Sequence, residues 1–136
     1  MQVETKNGNK REKILLPVIF LSLCFGVALL VRETHTFFCN TNYGFGFLEP
    51  GPFLMFFEWG ILAALLILYL RTSEWRDKAV LSILLGAGLA NTLERLMYGC
   101  VADFITLPII GSQVNVADIL ITGALLTLLL FSSRKS

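Results

Sequence analysis

The sequence predicts an all-α membrane protein of four transmembrane helices, with both termini cytoplasmic and a small β-containing loop region on the extracytoplasmic side. Three observations carry this. The 136 residues are 55% hydrophobic with a mean hydropathy of +0.71, too apolar for a water-soluble domain of this size. Four apolar stretches, at 14–31, 53–70, 79–98 and 114–131, are each long enough to cross roughly 30 Å of hydrocarbon as a helix. Nine of the eleven Lys and Arg residues fall on one side of that arrangement. A chain of this length leaves room for one domain, 1–136.

The elements follow in order. Lys6, Lys10, Arg11 and Lys13 precede the first stretch, Arg71, Arg76 and Lys78 lie between the second and third, and Arg134 and Lys135 follow the fourth. The positive-inside rule makes that side cytoplasmic. The first stretch reads as a retained helix: it is too long for the core of a cleaved signal, and Leu21-Ser22-Leu23-Cys24 lacks the small residue a processing site requires. The outer segment 32–52 carries Phe37, Phe38, Tyr43, Phe45 and Phe47 with Gly44 and Gly46 interleaved. Residues 34–40 and 43–48 read as short extended pieces, and Glu49-Pro50-Gly51-Pro52 as a break before the second helix. Its aromatic residues read either as interfacial anchors or as a platform over a site. Cys24 belongs inside the first helix. Cys39 and Cys100 both project outward, where they are either a disulfide or two unrelated thiols. His35 is the sole histidine, so no metal site is expected.

Ionisable residues avoid the inner part of the bilayer and collect in its outer layer. Glu58, Glu94, Arg95 and Asp118 each fall about 6 to 8 Å inside the outer end of a helix, at one common depth. Such residues mark functional sites by default. Asn91, Glu94 and Arg95 are spaced i, i+3, i+4 and share a helix face, with Arg95 expected to pair with Glu94 or Glu58. Asn115 and Asp118 open the fourth helix with the spacing of a capping box.

Asp103 lies fifteen positions before Asp118, in a short connection that must fold back between two adjacent helices, so the two carboxyls are expected to meet. Two carboxyls in contact do not both ionise easily; one keeps a proton while the other stays charged. The helix N-terminus favours charge on Asp118, which leaves Asp103 as the protonated partner. A water between them then loses a proton to one carboxylate while the other protonates a peptide carbonyl, which is aspartic hydrolysis without a metal or other cofactor.

These residues resemble the lipoprotein signal peptidases, the signal peptidase II family of bacterial membrane aspartic proteases. The chain has Asn91-Thr-Leu-Glu94-Arg95, Gly99-Cys-Val-Ala-Asp103-Phe104 and Val114-Asn115-Val-Ala-Asp118, in the order of the family patterns N-x-x-D-R, G-x-V-x-D-F and F-N-x-A-D. Asn42-Tyr-Gly44-Phe-Gly-Phe47 is similar to the family's N-x-G-x-x-F. Glu94 and Val114 depart from the usual Asp and Phe. The D-Q-x-x-K segment is absent, the nearest polar stretch being Arg32-Glu33-Thr34-His35. The resemblance implies a catalytic pair at Asp103 and Asp118, with Asn42, Gly44, Asn91, Glu94, Arg95 and Asn115 supporting it or binding substrate. It also implies prolipoproteins with a diacylglyceryl cysteine as substrate, membrane lipids as surroundings, and a bacterial inner-membrane location with the site facing outward.

Two other classes compete with this reading. One is a catalytically inactive relative that binds lipoproteins or signal peptides, against which both aspartates stand. The other is a small proton- or cation-coupled membrane subunit using Glu58, Glu94 and Asp118 as a relay, which lacks an ionisable step through the inner half of the bilayer. A net charge of +1 argues against nucleic acid as a partner.

Overall fold

The computed structural model describes the backbone of residues 5–43 and 48–134 and the side chains of 14–43 and 48–131. Gly44, Phe45, Gly46, Phe47 and Lys135 lie outside the described residues, as do the side chains of Lys6, Lys10, Arg11, Lys13 and Arg134. The chain order is α1 (Thr5–Thr34), β1 (Phe38–Asn40), α2 (Pro52–Arg71), α3 (Trp75–Tyr98), β2 (Val101–Asp103), β3 (Ile105–Leu107), β4 (Ser112–Val114) and α4 (Val116–Arg134). Three helices are long and apolar enough to cross a membrane: α1 over Ile14–Thr34, α2 and α3. The fourth has a shorter apolar stretch, Val116–Phe131.

Helix α3 is the centre of the bundle because its small residues let other backbones approach it. Ala87 and Ala90 pack against Cys24 of α1 and Ala117 of α4, and Leu81 and Leu85 against Leu65 and Tyr69 of α2. At Gly86 a Cβ would lie 2.6 Å from the Pro17 carbonyl oxygen and 2.6 Å from Phe20 Cβ, so the crossing with α1 requires glycine. Outward faces are apolar, with Leu30, Phe53 and Leu129 among the exposed side chains. That surface suits hydrocarbon as its surroundings, since soluble proteins rarely expose so much.

The end of the bundle away from the α2–α3 turn is built from short strands. Helix α1 runs one turn beyond the apolar stretch and ends where His35 takes a positive φ of 55°, so Arg32 is helical and not part of an outer loop. Only Phe38–Asn40 of the expected extended piece 34–40 is a strand, because its first residue still belongs to α1. Tyr43 and Leu48 exchange two backbone hydrogen bonds, of 2.8 and 3.0 Å. Gly51 precedes α2, which starts at Pro52 with proline in its first turn, where the missing N–H costs nothing.

Helix α3 ends at Gly99, whose left-handed φ of 76° lets its N–H reach the Arg95 carbonyl at 2.9 Å. The chain then enters β2, which pairs antiparallel with β1 in the register Phe38↔Asp103, Cys39↔Ala102, Asn40↔Val101. Cys39 and Cys100 form a disulfide, with Cα atoms 5.4 Å apart. Beyond Asp103, strands β3 and β4 form a hairpin with Ile105 opposite Val114. Phe104 donates its N–H to the Val114 carbonyl at 3.1 Å. This hairpin takes up the interval between the two aspartates and returns the chain to Asn115, at the start of α4.

Candidate active site

The polar residues of α3 point to three different neighbours. Asn91 faces α4: its Nδ2 donates to Asp118 Oδ1 at 3.3 Å, and its Oδ1 accepts from Asn115 Nδ2 at 2.8 Å. Glu94, only 2% exposed, faces α1 and β2, and its Oε2 accepts from Arg32 Nη2 and from the Ala102 N–H, each at 2.9 Å. Arg95 faces α2 and the connection between α1 and α2, donating to Glu58 Oε1 at 2.9 Å and to the Asn42 carbonyl at 3.3 Å. The i, i+3, i+4 spacing therefore spreads one helix face over three contacts. Arg95 takes the Glu58 alternative, and Glu94 is left to Arg32.

Arg32 does more than neutralise Glu94. The same Nη2 donates to the Cys100 carbonyl at 2.7 Å, and the guanidinium lies 4.0 Å from the Tyr98 ring centroid and 5.3 Å from that of Phe37. It thus ties the end of α1 to the backbone just ahead of Asp103. Arg95 has the matching place on the other side, 4.1 Å from the Tyr43 ring centroid. Burial and the Glu58 charge push the Tyr43 phenol above its usual range, so it stays neutral.

Asp118 occupies a capping box. Its Oδ2 accepts the Asn115 N–H at 3.1 Å and its own N–H donates to Asn115 Oδ1 at 2.8 Å, the reciprocal pattern that satisfies two amides at a helix start. Asp103 ends β2 and is 1% exposed. Its Oδ2 accepts from Asn40 Nδ2 at 2.8 Å, whereas its Oδ1 has no hydrogen-bond partner among the described residues. Burial pushes its pKa up to about 7. The Asn40 hydrogen bond partly opposes this, and the negative charges of Asp118 and Glu94 add to it. A cavity of about 340 Å³ opens onto it between Thr36, Phe37, Phe38, Phe104 and Gln113.

Asn91, Asn115 and Asp118 thus share one hydrogen-bonded cluster, Glu94 pairs with Arg32, and Asp103 is linked through Asn40 and Asn42 to Arg95, while Gly44 falls outside the described residues. Glu58, Glu94 and Asp118 do not form a relay, since each is bound to a different partner. No group of three or more His, Cys, Asp and Glu side chains that could hold a metal occurs among the described residues. Sequence reasoning missed Arg32 and Asn40. For Arg32 a signal existed: four acids share the outer layer with Arg95 alone, and Arg32 is the one other cation at that end. Asn40 gave none, because its partner Asp103 is 63 positions away.

Comparison with known proteins bears on this geometry. The family model for signal peptidase (SPase) II matches residues 30–134. A lipoprotein signal peptidase of Polynucleobacter necessarius subsp. necessarius (strain STIR1) is 36% identical over 74 residues, covering 50% of this chain and 45% of that protein. The match thus spans less than half of the relative's length. Two solved bacterial membrane enzyme structures, obtained by the in meso method at 2.3 and 1.9 Å resolution, share the fold with a TM-score of 0.75 at 20% identity. Both cover 92% of this chain, and 90% and 94% of their own chains respectively.

Proposed function

The chain belongs to the signal peptidase II family, and from that membership we propose that it removes signal peptides from lipid-modified prolipoproteins, cutting before the diacylglyceryl cysteine. Asp103 and Asp118 are the catalytic pair. Asn91, Asn115 and Arg95 hold the surrounding groups, and Asn42 meets the substrate together with Gly44. The observation that carries this reading is the buried Asp103 carboxyl, with a pKa of about 7, the Asp118 charge among its causes, and Oδ1 without a hydrogen-bond partner among the described residues.

The chemistry follows from that asymmetry. Asp118 receives donors from Asn91 Nδ2 and the Asn115 N–H at the start of α4, a setting that suits a carboxylate acting as base. Asp103 holds a proton near neutral pH. Asp118 takes a proton from a water, the hydroxide adds to the scissile carbonyl, and Asp103 gives its proton to the carbonyl oxygen. Collapse of the resulting tetrahedral species returns a proton to the leaving amine. The two apparent ionisations belong to the pair.

The rest of the reading is topological. All 136 residues act as one unit with four spans and cytoplasmic termini. The 19 residues of α4 extend about 28 Å, close to the hydrocarbon thickness, and nine of the eleven basic residues fall in the sequence on the side away from the site. The Cys39–Cys100 disulfide supports an extracytoplasmic site, because thiols stay reduced in the cytoplasm. A site at that level leaves the diacylglyceryl chains in the outer leaflet of the bacterial inner membrane, among its lipids.

Purified protein in lipid vesicles, given one precursor with and without the diacylglyceryl group, tests this. The modified form should be cut and release a product beginning at the lipidated cysteine. Equal cutting of the unmodified form would refute the lipid requirement. Binding without any cutting would point to an inactive relative.

A further inference from the structure

Asn40 lies against Asp103, the Cys39–Cys100 disulfide joins the two segments that carry them, and neither takes part in the reaction described above. Asn40 is 9% exposed, and both polar atoms of its side chain are used: Nδ2 donates to Asp103 Oδ2 at 2.8 Å, and Oδ1 accepts the Asn42 N–H at 2.9 Å. In the β1–β2 register Phe38 lies opposite Asp103 and Asn40 opposite Val101. Asn40 and Phe38 are two apart on one strand, so the amide reaches the carboxyl along a diagonal of the same sheet face. It occupies one carboxyl oxygen and leaves the other without a hydrogen-bond partner among the described residues.

The platform that carries Asn40 is weak by itself. Two strands of three residues have little stability of their own, and no turn joins them: the sequence separation of Cys39 and Cys100 is 61. The disulfide connects the residue just before Asn40 to the residue just before β2. Its Cys100 end is also held through its carbonyl by Arg32. One covalent bond therefore fixes the strand bearing the amide to the strand bearing the carboxyl.

We propose that Asn40 is a positioning residue for the Asp103 carboxyl and that the Cys39–Cys100 disulfide is the clamp that keeps it in place, making cleavage dependent on an oxidising outer compartment. This rests on the reading of Asp103 as one of the reacting pair. The amide fixes the rotation of the carboxyl and favours its charged form against the effect of burial, so without it the proton on Asp103 is held more tightly. A dithiol reductant delivers two electrons and two protons. The Cys39–Cys100 bond opens to two thiols while the reductant closes to its own disulfide. Strand β1 is then held to β2 by hydrogen bonds, with no covalent link.

The test measures cleavage of a diacylglyceryl precursor in vesicles across pH, for the parent, Asn40→Ala, the double variant Cys39→Ser/Cys100→Ser, the triple variant and Asp103→Asn. Asn40→Ala should lose about tenfold in kcat, and the alkaline limb of its pH profile should move upward. The cysteine variant should lose a similar factor. Dithiothreitol added to the assembled parent should reproduce that loss, and reoxidation should reverse it, which keeps the test open if the cysteine variant does not fold. The triple variant should be no worse than the weaker of its components, because amide and clamp act as one unit. An unmoved pH limb in Asn40→Ala, losses that multiply in full, or indifference to dithiothreitol would overturn the proposal. Activity retained by Asp103→Asn would instead remove the aspartate pair itself.

Discussion

Asp118 and Asp103 are supported in opposite ways. Asp118 sits in the first turn of a long helix, where Asn115, three residues away, satisfies its amide and carboxylate, and Asn91 of the adjacent helix adds one donor. Asp103 sits at the end of a three-residue strand. Its direct partner Asn40 belongs to another segment, and its backbone is steadied through Ala102 and Cys100 by Glu94 and Arg32. One carboxyl is placed by local helix chemistry and the other by contacts that exist only once distant segments have assembled. The difference locates the fragility of the site on the Asp103 side.

Arg32→Met probes that fragility most severely. It leaves Glu94 buried and unpaired and removes the donor to the Cys100 carbonyl, and breaking such a pair costs about 3–5 kcal/mol. Thermal unfolding in vesicles should drop by a matching amount; an unchanged transition would show that the strand platform does not depend on α1. Arg95→Lys should lower cleavage by roughly ten- to a hundredfold, because one ammonium lacks the planar fork that serves Glu58 and the Asn42 carbonyl together. A silent Arg95→Lys would place the organising role elsewhere on α3. Asn115→Ala, on the locally supported side, should cost about 1 kcal/mol as a lost cap. A cost matching that of Arg32→Met would erase the contrast between the two sides.

The pH dependence sharpens the same comparison. Asp103 has its folded pKa raised from 3.8 to about 7, so between those values the folded state binds more protons than the unfolded one. Its contribution to stability is therefore most favourable below about pH 4, declines as pH rises to about 7, and is flat above that. Asp103→Asn should unfold at a higher temperature than the parent at pH 8, with the gap closing in acid. A gap that widens in acid would reverse the sign of the argument. The smallest effect belongs to metal removal: a chelator should leave cleavage unchanged, since the proposed water is activated by carboxylates. Loss of activity that a divalent ion restores would require a different mechanism.

What could be read from the chain follows the same division. The helices were legible because apolar runs, the Pro50-Gly51-Pro52 break and the Gly99 stop are local signals, and the box at Asn115 and Asp118 needed only three residues of spacing. The Arg95–Glu58 pair was legible as one of the two options that helix spacing offered. The partner choices were not. Glu94 and Arg95 are adjacent, yet one turns to Arg32 and the other to Glu58, a choice settled by which helix packs on each side of α3. Nor could spacing decide between a disulfide and two thiols, because the β1–β2 register brings Cys39 and Cys100 together across 61 positions. The short connection between the aspartates was legible as one that folds back, but not as the β3–β4 hairpin.

The central claim is that the two differently held carboxyls work as one pair. Single-turnover cleavage of a diacylglyceryl precursor by Asp103→Asn and by Asp118→Asn, beside the parent in the same vesicles, tests it most directly. Both amides preserve shape and leave folding intact, yet neither can exchange a proton as the acid or base the reaction needs. Each variant should lose at least about a thousandfold in rate, roughly 4 kcal/mol of barrier, with its unfolding transition still cooperative. Either variant cleaving within about tenfold of the parent would contradict the pair.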